Sequence, residues 1–340
     1  MRPFVYEQPA DISAAVAIAS RFATNDDQPT RANAQFIAGG TNLADYMKLG
    51  VAEPNRLLDL NRLKESGLRQ IRVTDDGIRF GALVRMGEAA DHREVEERYP
   101  VIADSLRLAA SGQIRNMASL AGNILQRTRC EYFRETSWAC NKRMPGSGCA
   151  AMQGFNRQHA VLGASEACIA TYHGDFAQAL IALDAVVHAE GSRGARRIPF
   201  AKLHRRPGDT PHIETDLAAD EIITAIEVPA LPWGRRSLYL KIRDRQSYAF
   251  ALASAAVALD LDGETVREAR IALGGVATVP WRASTAEQSL QGKKLDETSA
   301  EAAADAAFAE AQPRQHNAFK VELGKRTLVR ALLETRDMKV

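Results

Sequence analysis

The sequence predicts an α+β protein of about three subdomains, and three observations lead there. Short strand and helix patterns alternate over residues 1–60. A hairpin pattern opens the middle of the chain, which then alternates helices and strands. The Pro- and Trp-bearing stretch Pro229–Gly234 reads as a linker, followed by long apolar strand runs and then alanine-rich helical runs. The expected divisions are residues 1–60, 61–229 and 230–340, with a cysteine-bearing insertion around 127–168.

In chain order, Phe4–Tyr6 is apolar and extended. Asp11–Phe22 carries helical spacing at Ile12, Ala15, Ile18 and Ala19, with Asp11 suited to the N-cap. Gln35–Ala38 reads as a buried strand running into Gly39-Gly40-Thr41-Asn42, then a helix over Leu43–Leu49 and a strand over Arg56–Leu60. Strands at Gln70–Val73 and Ile78–Leu83 are joined by a turn at Asp75–Gly77. Helices are expected over Gly87–Glu97 and Val101–Ala110, before a glycine-punctuated stretch, Ser111–Asn123. Beyond Cys168 come a helix at Phe176–Leu183 and strands at Ala185–Ala189 and Ile222–Val228. The final part predicts strands at Ser237–Ile242, Ala249–Leu261 and Val266–Gly274, and helices at Ala300–Ala311 and Ala318–Thr335.

Composition narrows the function. The 44 basic and 42 acidic residues are well mixed, which gives no electrostatic reason to expect nucleic acid or a membrane surface as partner. The longest apolar run, near Ala249–Leu259, is too short to span a bilayer. The start, Met1–Pro9, shows no apolar signal region, so synthesis and cofactor loading in the cytoplasm are expected. Export alongside a signal-bearing partner stays open.

Phe36–Leu43 combines a strand, a glycine pair and a helix start. Adjacent glycines let a backbone approach a ligand without a Cβ clash, and the N–H groups there can cradle a phosphate. A tight strand-to-helix turn is the plainer alternative. Ser119–Asn123 holds a hydroxyl, a glycine and an amide in one short run. Two such loops, far apart in sequence, suit a ligand with two phosphates, such as a dinucleotide. Gly274-Gly275 ends an apolar strand and reads as structural.

The chain has four cysteines, Cys130, Cys140, Cys149 and Cys168, spaced C-x9-C-x8-C-x18-C. Four thiolates complete the ligand set of an iron–sulfur cluster or a structural zinc. The C-x2–4-C pairs usual for zinc are missing. Arg127, Arg129, Arg134, Lys142 and Arg143 lie close in sequence, as compensation for an anionic cluster would require. Unligated buried thiols are the third reading, and a cytosolic disulfide is disfavoured. The seven histidines are scattered, and no catalytic acid, base or nucleophile stands out.

Taken together, Ser111–Asn116, Ala121–Asn123, Gln126–Cys130, Cys140–Arg143, Pro145–Ala151, Arg157–Val161, Ser165–Thr171, Thr210–Thr215 and Lys241–Ala251 resemble the FAD-binding subunits of molybdenum hydroxylases, the xanthine and carbon monoxide dehydrogenase group, especially those of aldehyde oxidoreductases. The resemblance covers essentially the whole chain. It implies a two-subdomain VAO/PCMH-type FAD domain and a C-terminal domain of a small antiparallel sheet with helices, of the CO dehydrogenase flavoprotein type. It implies FAD held by Phe36, Ile37, Ala38, Gly39, Gly40, Thr41, Asn42 and Leu43, and by Ser119, Leu120, Ala121, Gly122 and Asn123. It further assigns Asp175 to the cofactor, Ile223 to the adenine and Lys241 to the vicinity of the flavin. The four cysteines match ligands of a [4Fe–4S] cluster. In the second loop Ala121 stands where the family usually has glycine, which adds a methyl near the phosphates.

The function so implied is electron transfer in a heterotrimer. A molybdenum-cofactor large subunit would oxidise an aldehyde. A small subunit with [2Fe–2S] centres would pass electrons to FAD on this chain, and an external acceptor such as a quinone or ferredoxin would collect them. No side chain here need act as acid or base. The rival readings are a 4-hydroxybenzoyl-CoA reductase-type or other xanthine dehydrogenase-like flavoprotein subunit, and a zinc-braced scaffold without redox activity.

Overall fold

The structure, a computed structural model, describes residues 1–23 and 29–340. Three sheets organise it. The N-terminal sheet is parallel, in the order Val5–Glu7, Arg56–Asp59, Ala34–Ile37. The middle sheet is antiparallel and five-stranded, in the order Ile71–Thr74, Gly77–Gly81, Ile222–Pro229, Val186–Gly191, Gly194–Pro199. The C-terminal sheet is antiparallel and four-stranded: Trp281–Arg282, Thr265–Gly274, Ala253–Asp262, Ser237–Ile242. Among the described residues no helix is long and apolar enough to cross a membrane.

Local chemistry accounts for most element ends. The first helix, Ile12–Phe22, starts at Asp11, whose carboxylate accepts from Ala14 N–H at 2.8 Å. The expected single helix over Gly87–Glu97 is two, Met86–Ala90 and Arg93–Arg98, because His92 is extended and starts the second. The next helix opens with Pro100 in its first turn, where a missing N–H costs nothing. Ser111–Asn123 folds into two short helices, Gly112–Met117 and Leu120–Ile124, each capped by the serine before it. The expected strand over Ala249–Leu261 begins only at Ala253. Tyr248 just before it takes a left-handed φ of 53°, which breaks the extended run. The strands Gly194–Pro199 and Trp281–Arg282 and the helix Ser284–Leu290 lie outside the expected elements. Their short, charged or mixed sequences carry weak periodicity.

Packing forms two large apolar cores, one around the middle sheet and its helices and one in the C-terminal domain. Phe80 and Phe176, both fully buried, meet edge to face at 6.3 Å in the first. Each such side chain contributes about 2 kcal/mol of burial. A third, smaller cluster joins Tyr46, Met47, Leu57 and Phe133 to Cys130, Cys140 and Cys168. It connects the N-terminal sheet to the cysteine segment.

Candidate functional site

A cavity of about 1120 Å³ opens where the three sheets meet. Its walls include 36–43 from the N-terminal subdomain, Ser119, Ala121, Gly122, Asn123 and Ile223 from the middle, and Asp244, Arg245, Tyr248 and Phe250 from the C-terminal domain. That volume suits a dinucleotide better than a small metabolite.

The first loop offers free donors. Among the described residues none accepts a hydrogen bond from the N–H of Gly39, Gly40, Thr41 or Asn42. Gly40 sits at φ 71°, a conformation that L side chains avoid. A Cβ on Gly39 would lie 2.1 Å from Met117 O, so this glycine lets the two loops touch. Asn61 and Arg85 tie the contact together: Asn61 Nδ2 donates to Ala38 O at 2.8 Å, and Arg85 donates to Asn61 Oδ1 at 2.9 Å and to Met117 O at 2.7 Å. Both residues are ordinary polar types in sequence, so nothing marked them there. Asn42 Nδ2 is buried without a partner among the described residues, an orphan that a bound phosphate would satisfy.

The second loop differs from the sequence expectation. Its amides are already engaged: Leu120 N–H donates to Val84 O, Ala121 N–H to Ala82 O, Gly122 N–H to Ser119 Oγ and Asn123 N–H to Ser119 O. It therefore supplies shape and the Asn123 side chain, whose Oδ1 is buried and unpartnered, rather than a nest of N–H groups. The Leu120 side chain is fully buried in the main core, away from the cavity.

Lys241 reaches the cavity through Asp175. Its Nζ donates to Asp175 Oδ2 at 2.8 Å and to Leu108 O at 3.0 Å, with both side chains almost fully buried. The Tyr239 hydroxyl donates to Asp175 Oδ1 at 2.7 Å. Burial pushes the Asp175 carboxyl up, and the Lys241 ammonium opposes that. Asp175 lies in the cavity wall, whereas Lys241 stands behind it. His173, also in the wall, packs against Phe250 at 4.9 Å; burial and the Lys320 and Arg129 charges bring its pKa down to about 3, so the ring is neutral.

The cysteines adjoin this cavity. Residue 127 begins the connection: its N–H donates to Asn42 Oδ1 at 3.2 Å, and the Tyr46 hydroxyl donates to Thr128 O. Cys140 and Cys149 face each other across an antiparallel bridge, closed by a loop with Gly146 at φ 82° and Gly148 at φ 94°. That pairing sends both side chains to one face. Cys168 sits in a tight turn with Ser165. Burial holds up the thiols of Cys130, Cys149 and Cys168, the last to about 11, and the group is close enough that the sulfurs would repel one another if ionised. Backbone N–H groups face the sulfurs: Ala170 N–H donates to Cys168 Sγ at 3.4 Å, and those of Ala151, Ile169 and Met152 oppose burial at Cys149. His159 Nε2 lies 3.1 Å from Cys130 Sγ. Among the described residues no three His, Cys, Asp or Glu side chains gather into a metal-holding group, so the four cysteines are neighbours without forming a closed zinc site, with Zn–S of about 2.3 Å, or a preformed cluster site.

The basic residues expected around the sulfurs divide into three jobs. Arg129 and Arg134 pair with Asp45 on the helix Leu43–Lys48. Arg143 donates to the carbonyls of Tyr132, Phe133, Thr136 and Trp138 and so folds that loop. Arg127 and Lys142 share Glu214, and the Lys142 charge opposes burial at Cys168. Glu214 belongs to the Thr210–Thr215 stretch, and this salt-bridge triad is the part that stretch plays.

A two-subdomain cradle with free loop amides, walled on a further side by the C-terminal domain, has the size and donors for a dinucleotide. Residues 2–231 match the family described as FAD binding domain in molybdopterin dehydrogenase, and residues 238–335 match the CO dehydrogenase flavoprotein C-terminal domain. The chain is 50% identical to the aldehyde oxidoreductase FAD-binding subunit PaoB of Escherichia coli, over 89% of this chain and 92% of that one. It is 28% identical to the glyceraldehyde dehydrogenase medium chain of Sulfolobus acidocaldarius, over 78% and 76%. Among solved structures, carbon monoxide dehydrogenase of Hydrogenophaga pseudoflava matches with a TM-score of 0.74 at 27% identity, covering 98% of this chain and 96% of that one. The chain thus belongs to the FAD-binding medium subunits of the molybdenum hydroxylase family, flavoproteins of oxidoreductase complexes. That membership excludes the zinc-braced scaffold.

Proposed function

We propose that this chain is the electron-transfer subunit of a molybdenum-dependent aldehyde oxidoreductase, and that Cys130, Cys140, Cys149 and Cys168 hold a [4Fe–4S] cluster beside the FAD. The observation that carries the reading is one of position. A four-cysteine segment, three of its thiols buried, abuts the cavity through residues 127–130, in a chain 50% identical over 89% of its length to an aldehyde oxidoreductase FAD-binding subunit. The donor set suits a cluster: all four sulfurs are free thiols, backbone N–H groups face them, and the buried Lys142 supplies positive charge. When bound, FAD accepts electrons singly and releases them singly or in pairs, and the cluster exchanges one at a time.

The chain's own residues do the positioning. Gly39 and Gly40 bring free amides to the phosphates, and Asn42 adds its side-chain donor. The Asp175–Lys241–Tyr239 network fixes a charged wall without exposing it to water. The proposal extends to a heterotrimer with a molybdenum large subunit and a [2Fe–2S] small subunit, to an external quinone- or ferredoxin-like acceptor, and to cytoplasmic loading followed by export with a signal-bearing partner. Anaerobic co-purification with the partners tests it. The expected product is yellow-brown, with one flavin and about four irons per medium chain, and its flavin is reduced on adding an aldehyde. Flavin without iron overturns the cluster; iron and flavin that no aldehyde reduces overturn the substrate class.

A further inference from the structure

Two buried polar side chains, His159 beside Cys130 and Lys320 against the His159 backbone, form a linked pair. His159 is 5% exposed, with Nε2 3.1 Å from Cys130 Sγ and its ring leaning on Tyr132. Its Nδ1 is buried and has no partner among the described residues, so Cys130 is the one polar contact that the ring makes there. The His159 backbone is pinned at both ends. Its N–H donates to Asn156 O at 3.0 Å, and its carbonyl accepts from Lys320 Nζ at 3.2 Å and Asn317 Nδ2 at 3.3 Å.

Lys320 is the second unusual group. It is fully buried, and its Nζ donates to the carbonyls of Gln158, His159 and Gly275 at 3.1, 3.2 and 2.5 Å. No carboxylate pairs with it among the described residues. A lysine so deep without an acid is rare, because carbonyl dipoles alone leave its charge uncompensated; burial brings its pKa down to about 7, so the ammonium is the main form only below neutrality. It lies on the C-terminal helix Phe319–Arg336, so the C-terminal domain delivers this charge to the rear of the cysteine pocket.

We propose that His159 is a positioning residue for the group that the cysteines hold: its Nε2–H donates to Cys130 Sγ, and Lys320 locks the His159 backbone while adding a buried positive charge behind it. This rests on the cluster reading above. A coordinating thiolate carries no proton, so the hydrogen between ring and sulfur belongs to Nε2, and Nδ1 is the bare nitrogen. An N–H···S bond and a nearby cation both favour the more negative, reduced state of a cluster. Removing either makes reduction harder.

The test uses the assembled complex carrying wild type, His159→Leu, His159→Gln or Lys320→Met, at about pH 6, where Lys320 is charged. Iron, sulfide and flavin are counted per medium chain, and the cluster potential is read by a redox titration followed by electron paramagnetic resonance. His159→Leu should lower the one-electron reduction equilibrium about tenfold, roughly 59 mV. His159→Gln, which keeps a donor, should recover most of that shift, and Lys320→Met should move the potential in the same direction as His159→Leu. Iron lost in His159→Leu but kept in His159→Gln supports the role equally, since the two share bulk and differ in the donor. Unchanged potentials with full iron in both His159→Leu and Lys320→Met overturn the inference, as does iron loss in His159→Gln. Wild type without iron overturns the cluster reading instead, and the two failures are told apart by that first measurement.

Discussion

The flavin cradle and the cysteine pocket are neighbours built on opposite plans. The cradle uses the ends of regular elements, and its key donors are backbone N–H groups left free at 39–42. What matters there is the absence of side chains, at Gly39 and Gly40. The pocket is mostly irregular chain from 127 to 170, and what distinguishes it is side chains: four thiols, one histidine and a salt-bridge triad. A cradle of that kind comes with the fold. A pocket of the other kind depends on particular residues, so related chains of the same fold need not have it.

The sharpest way to separate the two is Cys140→Ser. A serine oxygen is a poor iron ligand, so iron should fall to a small fraction of wild type while flavin stays near one per chain. Parallel loss of flavin would show that the regions fold as one unit. The reciprocal change is Gly39→Val. Its Cβ would meet Met117 O at 2.1 Å, and both partners are backbone, so the loops must part. Overpacking of this sort costs about 3 kcal/mol, which corresponds to a roughly 100-fold loss in FAD affinity. Flavin titration of the stripped protein measures it, with iron content expected to hold.

The sequence was most readable where local rules govern. Asp11 as an N-cap, the hairpin at Asp75–Gly77 and the strand–Gly-Gly–helix unit all follow from near neighbours in the chain. The cavity's first loop was legible for the same reason. The second was misread in its physics, because Val84 O and Ala82 O, distant in sequence, take the amides of Leu120 and Ala121. The roles of Arg129, Arg134 and Arg143 were equally hidden. Each chooses among carboxylates and carbonyls that only tertiary packing brings near. His159 looked like one scattered histidine, since its contact with Cys130 spans 29 residues of mostly irregular chain.

A smaller effect probes the pocket's own electrostatics. Glu214→Gln leaves Lys142 and Arg127 sharing no anion in a largely buried place. The Arg127 and Lys142 charges hold the Glu214 carboxyl below its usual range despite burial. The variant should lose about 2 kcal/mol at neutral pH, measured by urea unfolding, with iron retention falling before flavin retention. Equal loss of both would place the triad in the general fold rather than in the pocket.

The smallest change addresses the seam between the two regions. Asp45 lies on the cradle helix and accepts hydrogen bonds from Arg134 at 2.5 Å and Arg129 at 3.2 Å, on either side of Cys130. The Arg134 hydrogen bond, followed by the nearby guanidinium charges, holds the Asp45 carboxyl below its usual value although burial opposes this. A lowered folded-state pKa means that the unfolded chain binds the proton more readily. The resulting stability is complete above the unfolded carboxylate pKa, near 4, and drains away as pH falls through the folded value. Asp45 is 38% exposed, so solvent screens the pair and its worth is about 0.5 kcal/mol. Asp45→Asn should therefore unfold at slightly lower urea than wild type at pH 7, and the gap should close by about pH 3. A gap that persists in acid would mean that Asp45 acts by packing and not by charge. If the gap closes while iron and flavin stay at wild-type levels, the ionic seam aligns the two regions without either depending on it to bind its cofactor.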